Sequence, residues 1–280
     1  MPTVAYQGVE GAYSHLACRS ALPDHAPMSC YSFEDMLAVV QDGAADLAMV
    51  PVENSVAGRV ADIHHLVPES GLYIIGEHFQ RVNHMLLGVP GATLDDLKEV
   101  RGHPQGLAQC RRLINKLGLK RTQHADNAGA AMEVAALGDK TVAAIASSLA
   151  AEVYGLDVLV DSAEDAEHNT TRFLIMARQG VMPPVDNGPC VTTIVFHVRS
   201  VPAALYKALG GFATNGVNLT KLESYILGGS FSAAQFYVDA EGHVEDQAMK
   251  FALEELQFFC PKGSVKVLGT YPASPFRRGE

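Results

Sequence analysis

The chain has no block of basic residues. Its 21 Lys and Arg stand against 31 Asp and Glu, a net charge of -10 over 280 residues. Basic and aromatic side chains are not interleaved either, so nucleic acid is not an expected partner. No apolar run approaches the roughly 18 residues of a membrane span, and no membrane partner is expected. The opening MPTVAYQG lacks a basic n-region and an apolar h-region; it reads as a first strand without a signal peptide, hence a cytoplasmic protein. Five scattered cysteines (Cys18, Cys30, Cys110, Cys190, Cys260), with no CxxC pair, read as free thiols in a reducing compartment. The Asn169-Thr170-Thr171 sequon then carries no glycan. Eleven histidines, His64 and His65 among them, come without HExxH or a carboxylate cluster, and neighbours on a helix do not share a face; no metal is expected. GxGxxG and Walker sequences are missing, and Gly8 and Gly11 make only GxxG; neither a nucleotide nor another cofactor is expected.

What is present is an ordinary folded composition, 48% hydrophobic and 19% charged, in a chain long enough for one large domain or two to three smaller ones. Over the first 180 residues short apolar runs alternate with helical patterns, the α/β signature. Strands are predicted at 3–7, 45–52, 72–79, 82–89, 142–147 and 172–178, and helices at 12–21, 33–42, 59–68, 94–98, 105–117, 128–137 and 147–154. A Pro- and Gly-rich stretch follows, read as a linker over 181–189. The remainder reads β-α-β-β-α-β, a ferredoxin-like split unit over 190–272, with Gly228-Gly229 as its hairpin turn and 273–280 as a tail. No internal repeat or low-complexity segment occurs.

Five segments share one grammar, a strand end followed by a small or polar loop: QGVEGAYSH (7–15), PVENSVAG (51–58), GHPQGLAQC (102–110), HADNAGAA (124–131) and EHNTTRF (167–173). In four of them a helix follows. Ligands of open α/β sheets bind beyond the carboxyl ends of strands, where helix N-termini present unpaired N–H groups suited to carboxylate or phosphate. Taken singly, Ser14, Asn54, Ser55 and Asn127 are also good N-cap residues. Pro104 suits a first helical position with no further role. Cys110 reads as a small buried hydrophobe, and the acidic run 161–168 as a solvated loop.

Together GAYSH, PVENSVAG, HPQGLAQC and NTTRF, in this order and spacing, resemble the prephenate dehydratases. VNLTKLES (217–224) resembles the ligand-binding stretch of their ACT regulatory domain. The resemblance implies a catalytic domain over 1–180 made of two α/β lobes like those of periplasmic solute-binding proteins. Lobe 1 would comprise 1–79 and 171–180 and lobe 2 80–170, with the site in the cleft between them and no chorismate mutase unit ahead of it. It implies decarboxylating dehydration of prephenate to phenylpyruvate in L-phenylalanine biosynthesis, without a cofactor.

By the same resemblance Thr171 is the catalytic residue. An alcohol is a feeble acid, so it donates a hydrogen bond to the departing hydroxyl, a contact worth about 3 kcal/mol when well placed. Tyr13, Ser14, Glu53, Asn54, Ser55, Gln105 and Gln109 match substrate-positioning motifs. Glu53 would have to be protonated or turned away from an anionic substrate. Arg172 holds the substrate's side-chain carboxylate bidentately, or else faces the acidic loop at 161–167.

Two stretches depart from the family pattern. The segment from Asp126 and Asn127 through Ala131 looks more like the arogenate dehydratases, where Asp126 would meet the substrate ammonium; arogenate is the alternative substrate. In the effector region Ala203 stands in place of a glycine, beside Ala204 and Leu205, and Tyr225-Ile226 stand in place of Arg-Pro, whereas Asn218, Leu219, Thr220, Glu223 and Ser224 match. L-Phenylalanine is the implied effector, and self-association through ACT domains is implied because strand edges need cover. A non-catalytic amino-acid-sensing protein is the competing class.

Overall fold

A computed structural model describes residues 1–60, 63–166, 168–199, 201–226 and 234–279. Among them the chain forms three sheets, numbered here in chain order. The first holds β1 (Thr3–Gln7), β2 (Ala26–Cys30), β3 (Leu47–Asn54), β4 (Gly58–Arg59), β5 (Tyr73–Arg81) and β11 (Thr170–Ala177). Its order is β2-β1-β3-β11-β5, with β4 paired to β3, and β1 runs parallel to β2 and β3. The second holds β6 (Met85–Gly88), β7 (Glu99–Gly102), β8 (Lys120–Gln123), β9 (Val142–Ala146) and β10 (Asp157–Val160), in the order β10-β6-β9-β7-β8. The third holds β12 (Cys190–His197), β13 (Leu219–Ile226), β14 (Ala234–Glu241) and β15 (Lys266–Pro272), in the order β13-β14-β12-β15, every pairing antiparallel.

Nine α-helices are described: α1 (Tyr13–Ala21), α2 (Phe33–Gln41), α3 (Ile63–Glu69), α4 (Pro104–Gln109), α5 (Arg111–Lys116), α6 (Asn127–Leu137), α7 (Ser148–Tyr154), α8 (Ala204–Thr214) and α9 (Gln247–Phe259). The sequence explains their ends. Ser32, Asp126 and Ser147 cap α2, α6 and α7 with side-chain oxygens, and Gly138 and Gly155 stop α6 and α7 in left-handed conformation. The expected helix at 105–117 is broken at Cys110 into α4 and α5. The helix expected at 94–98 is a turn, because Asp96 Oδ2 accepts from Thr93 N and its hydroxyl, a local bond that competes with helix. The Gly228-Gly229 hairpin turn lies outside the described residues.

By packing, the chain divides into two compact units: Met1–Val60 with His78–Phe173, and Ala61–Glu77 with Leu174–Glu280. This division cuts across the boundary expected at 181–189, since part of the early chain packs with the C-terminal sheet. In that second unit one sheet face carries Ile194, Phe196, Val238 and Ala240 against Ala208 and Phe212 of α8 and Ala252 and Leu256 of α9. Alternate residues point the other way. There Tyr225 stacks on His64 of α3 at 5.2 Å, and Lys266 Nζ donates to the Pro68 carbonyl. Gly269 brings β15 so near the Tyr73–Glu77 segment that a Cβ would overlap the Ile74 carbonyl oxygen.

The stretch expected as a tail contains a short element. Pro275–Arg278 form a 3₁₀ turn capped by Ser274. Arg277 forks onto Glu77 with Nε–Oε1 at 2.6 Å and Nη2–Oε2 at 2.9 Å.

Candidate active site

Within the first unit a cavity of about 490 Å³ opens where the two α/β lobes meet. The chain crosses from β5 to β6 through Val82, Asn83 and His84 and returns through residues 161–169 into β11. Tyr13 and Ser14 of α1, Asn54 at the end of β3, Gln105 and Gln109 of α4, Asn127 at the start of α6, and Thr171 of β11 all line it. The described segments of the four donor-rich loops 7–15, 51–58, 102–110 and 124–131, and of the return crossing, thus converge, from positions more than 150 residues apart in sequence.

The hydrogen bonds behind the wall have a determined direction. Asn54 Oδ1 accepts from two backbone amides, Val56 N at 3.0 Å and Ala57 N at 2.8 Å. A backbone N–H can only donate, so the other end of the amide must be Nδ2. That nitrogen donates to Asn169 Oδ1 at 2.8 Å and to Thr171 Oγ1 at 2.9 Å. Asn169, 2% exposed, is thereby oriented to donate from Nδ2 to Gln109 Oε1 at 3.1 Å. The same oxygen lies 2.8 Å from His84 Nε2, which must carry a proton.

Burial pulls the His84 imidazole below its ordinary value, against the opposing effects of Gln109 and Glu164. The ring is neutral at pH 7, with its proton on Nε2. Tyr13 Oη donates to the Asn83 carbonyl at 2.8 Å and lies 2.9 Å from His84 Nδ1, so its single proton is shared between two acceptors. Burial also pushes the Tyr13 phenol well above its ordinary value, so it remains a donor.

Two consequences follow at the cavity surface. Thr171 Oγ1 is occupied as an acceptor by Asn54, so its own O–H is the group directed to a further acceptor. Gln109 has both protons of Nε2 left to donate, because its oxygen is doubly engaged. The cavity therefore meets its ligand with neutral donors held in place by partners that cannot turn round.

Arg172, Glu53, Ser55 and Asp126 are not among the residues that line the cavity. Arg172 is 3% exposed, and its Nη1 lies 2.9 Å from Glu53 Oε1. Glu53 is turned away accordingly. Ser55 bridges two strands, donating to the His168 carbonyl at 2.6 Å and accepting from Thr170 N at 2.9 Å. Asp126 caps α6 through Gly129 N at 2.6 Å, so its carboxylate is spent on a helix end. Asn127 Oδ1 accepts from His103 N at 2.8 Å while packing against Gly106, where a Cβ would come within 2.7 Å of that oxygen. Sequence reasoning missed His84, Asn169 as an orienting residue, and Arg59, which lines the cavity one position beyond PVENSVAG.

The seven expected effector residues lie in the second unit. Ala204 and Leu205 open α8, and Asn218 Nδ2 donates to Glu241 Oε2 at 2.9 Å. Leu219 packs into the helix-side core. Thr220 Oγ1 accepts from Arg277 Nη1 at 3.2 Å, Glu223 pairs with Lys221 at 2.9 Å, and Ser224 is exposed on β13. All five cysteines are free and buried. Among the described residues no group of three or more His, Cys, Asp or Glu converges as a metal site, and no helix is long and apolar enough to cross a membrane.

Comparison with known proteins agrees with this geometry. The family model for prephenate dehydratase matches residues 4–181. A bifunctional N-acyl-homoserine lactone acylase/prephenate dehydratase of Komagataeibacter europaeus is 53% identical over 275 residues, 98% of this chain and 97% of the relative. An arogenate dehydratase/prephenate dehydratase of Arabidopsis thaliana is 38% identical, covering 96% of this chain and 71% of the relative. The solved prephenate dehydratase of Arthrobacter aurescens in complex with L-Phe superposes with a TM-score of 0.87 at 30% identity, over 97% of this chain and 90% of that one.

Proposed function

The chain belongs to the prephenate dehydratase family, and from that premise we propose that it converts prephenate to phenylpyruvate, carbon dioxide and water. The electrons balance within the substrate. The pair of the breaking bond to the ring carboxylate moves into the ring, and the pair of the breaking C–O bond leaves with hydroxide. Aromatisation drives both events, so the protein's task is to fix the ring and stabilise the oxygen that departs.

The observation that carries the proposal is the fixed direction of the Asn54–Thr171 bond. It leaves the Thr171 O–H to donate a hydrogen bond to the leaving oxygen, stabilising developing charge while Thr171 keeps its proton, and the departing hydroxide becomes water with a proton from solvent. Gln109 and Tyr13 hold the substrate beside it. The ring carboxylate is released among neutral groups, since strong donors there would stabilise the ground state and slow its loss.

In this reading 1–180 is the catalytic part, with lobe 1 over 1–79 and 171–180 and lobe 2 over 80–170. A linker spans 181–189, an ACT regulatory domain 190–272, and a tail 273–280. The β-α-β-β-α-β order of the C-terminal third supports the regulatory assignment, as does the L-Phe complex of the Arthrobacter relative. L-Phenylalanine is the proposed effector. Self-association is proposed through β13, an edge strand with Leu222 46% and Ile226 49% exposed. A cytoplasmic setting suits five buried free thiols.

Arogenate is the second reading, supported by the Arabidopsis relative's name; Asp126, the residue proposed to meet its ammonium, caps α6 through Oδ1. One assay separates the readings. Purified protein is offered prephenate, arogenate and an N-acyl-homoserine lactone in parallel, with phenylpyruvate, phenylalanine and free homoserine lactone as readouts. Phenylpyruvate formed fastest is the expected result. Turnover of none of them would leave an amino-acid-sensing binding protein.

A further inference from the structure

We infer that Arg59 reads the substrate's surviving carboxylate, an assignment that rests on the dehydratase reading above. The substrate is a dianion and the protein carries a net charge of -10, so attraction must be local. Among the described residues lining the cavity, Arg59 is the one permanent cation; the rest are amides, hydroxyls, imidazoles and apolar groups. Arg172, the cation expected from sequence, is held behind the wall by Glu53.

The placement of Arg59 is built by the same residue that orients Thr171. Asn54 Oδ1 closes a tight turn through the amides of Val56 and Ala57. Gly58 takes φ +82°, and the chain returns as β4, with Asn54 opposite Gly58 and Glu53 opposite Arg59. Glu53, opposite Arg59 in this register, pairs with Arg172 Nη1 at 2.9 Å. A single hairpin presents the cation and, through Asn54, aims the hydroxyl, so the distance between carboxylate and leaving oxygen is measured against one rigid element.

Prephenate offers two carboxylates, and chemistry chooses between them. A guanidinium on the ring carboxylate would stabilise the charge that must be lost as neutral carbon dioxide, raising the barrier. Arg59 therefore takes the carboxylate of the pyruvyl side chain, which survives into phenylpyruvate. Its contribution is equal in substrate, transition state and product, and so belongs to KM and to product affinity rather than to kcat.

The test uses the full-length protein with Arg59→Gln and Arg59→Lys, circular dichroism confirming the fold of each. In Arg59→Gln we expect KM for prephenate to rise roughly 10- to 100-fold, as for loss of one charge-assisted hydrogen-bonded pair, with kcat within about 3-fold. Phenylpyruvate binding, measured by calorimetry without turnover, weakens by the same factor. Arg59→Lys falls between, since it keeps charge but loses the fork. Unchanged KM and product affinity overturn the inference while leaving the dehydratase reading intact. A fall in kcat with KM unchanged overturns it too, by placing Arg59 on the reacting end. A wild-type protein with no prephenate turnover removes the dehydratase reading and this inference together.

Discussion

The two units each bury a polar network, and the networks are made of different materials. In the first, Tyr13, His84, Gln109, Asn169, Asn54 and Thr171 are joined by neutral hydrogen bonds. In the second, Arg277 joins Glu77, whose side chain is fully buried, and approaches Asp239 Oδ2 at 3.9 Å, while Thr193 donates to Asp239 Oδ1 at 2.6 Å. Amides and hydroxyls have one donor end and one acceptor end, so a chain of them transmits orientation from a backbone anchor to a reactive hydroxyl. Ions carry no such polarity along a chain, but parting one ion from another in a dry site is costly. The first network is suited to aiming a proton and the second to holding a chain end in place.

The comparison breaks most visibly at Thr171. Replacing it with alanine removes the aimed donor, and turnover should fall by about 10²- to 10³-fold, the loss seen when one preorganised donor is deleted. Thermal melting should barely move, since Asn54 keeps Asn169 and both turn amides as partners. Thr171→Ser should recover most of the rate. A Thr171→Ala enzyme of near-normal turnover would show that the direction of this network is irrelevant to the chemistry.

The ionic network should answer the other way round. Arg277→Gln leaves the buried Glu77 carboxylate without its bidentate partner, and should cost about 3 kcal/mol of stability, read by urea denaturation. Converting Glu77 to Gln as well should return much of that loss, because the stranded charge is gone. A single variant costing under about 1 kcal/mol would rank this pair with ordinary surface bridges.

How far the sequence reveals these networks depends on the range of the interaction. FLIM as a buried strand and the convergence of PVENS with NTTRF follow from local pattern and position, whereas the cap of α6 falls on Asp126, one residue before the Asn127 expected. The edge strands do not: KRTQ (β8) has no apolar residue, because it is exposed along much of its length, and APMSC (β2) is only five residues long with a proline inside it. His84 lies inside an apolar run and reads as core until Tyr13 and Gln109 are brought beside it. The Arg172–Glu53 and Arg277–Glu77 pairs join residues 119 and 200 positions apart, and no single sequence records which carboxylate an arginine will choose. Arg59 follows the apolar Val56-Ala57-Gly58 stretch after the motif's last polar residue, Ser55, and no local pattern marks it.

Acidification should probe the neutral network by a smaller effect. Burial holds His84, His78 and His15 below the ordinary value of 6.5. Below pH 6.5 the unfolded chain therefore takes up protons that the folded chain refuses, so the slope of stability with pH is positive there. Their contribution is complete above about pH 6.5 and is lost progressively as pH falls towards and below the depressed folded values. Replacing His84 with Gln should flatten part of that slope in denaturation at pH 5 to 7. An unaltered slope would mean that His84 takes up its proton as readily in the folded protein as in the unfolded chain, contradicting an imidazole held neutral by burial.

The smallest effect compares the units at the level of one backbone conformation. Gly138 ends α6 at φ 64°, ψ 14°, and Ala203 precedes α8 at φ 62°, ψ 16°. The dihedrals are nearly identical, yet one position has a glycine and the other an alanine, where the family resemblance leads one to expect glycine. A Cβ in the left-handed region costs about 1 kcal/mol or somewhat more, while glycine's greater freedom in the unfolded chain offsets roughly half of that gain. Ala203→Gly should therefore stabilise the protein by about 0.5 kcal/mol, and Gly138→Ala, which meets nothing within 4 Å, should destabilise it by a similar amount. Opposite signs in the two melting shifts are the expected result. If Ala203→Gly instead lowers stability, the methyl group is contributing packing at the start of α8 that outweighs its strain, and the alanine there has been favoured for contact rather than tolerated.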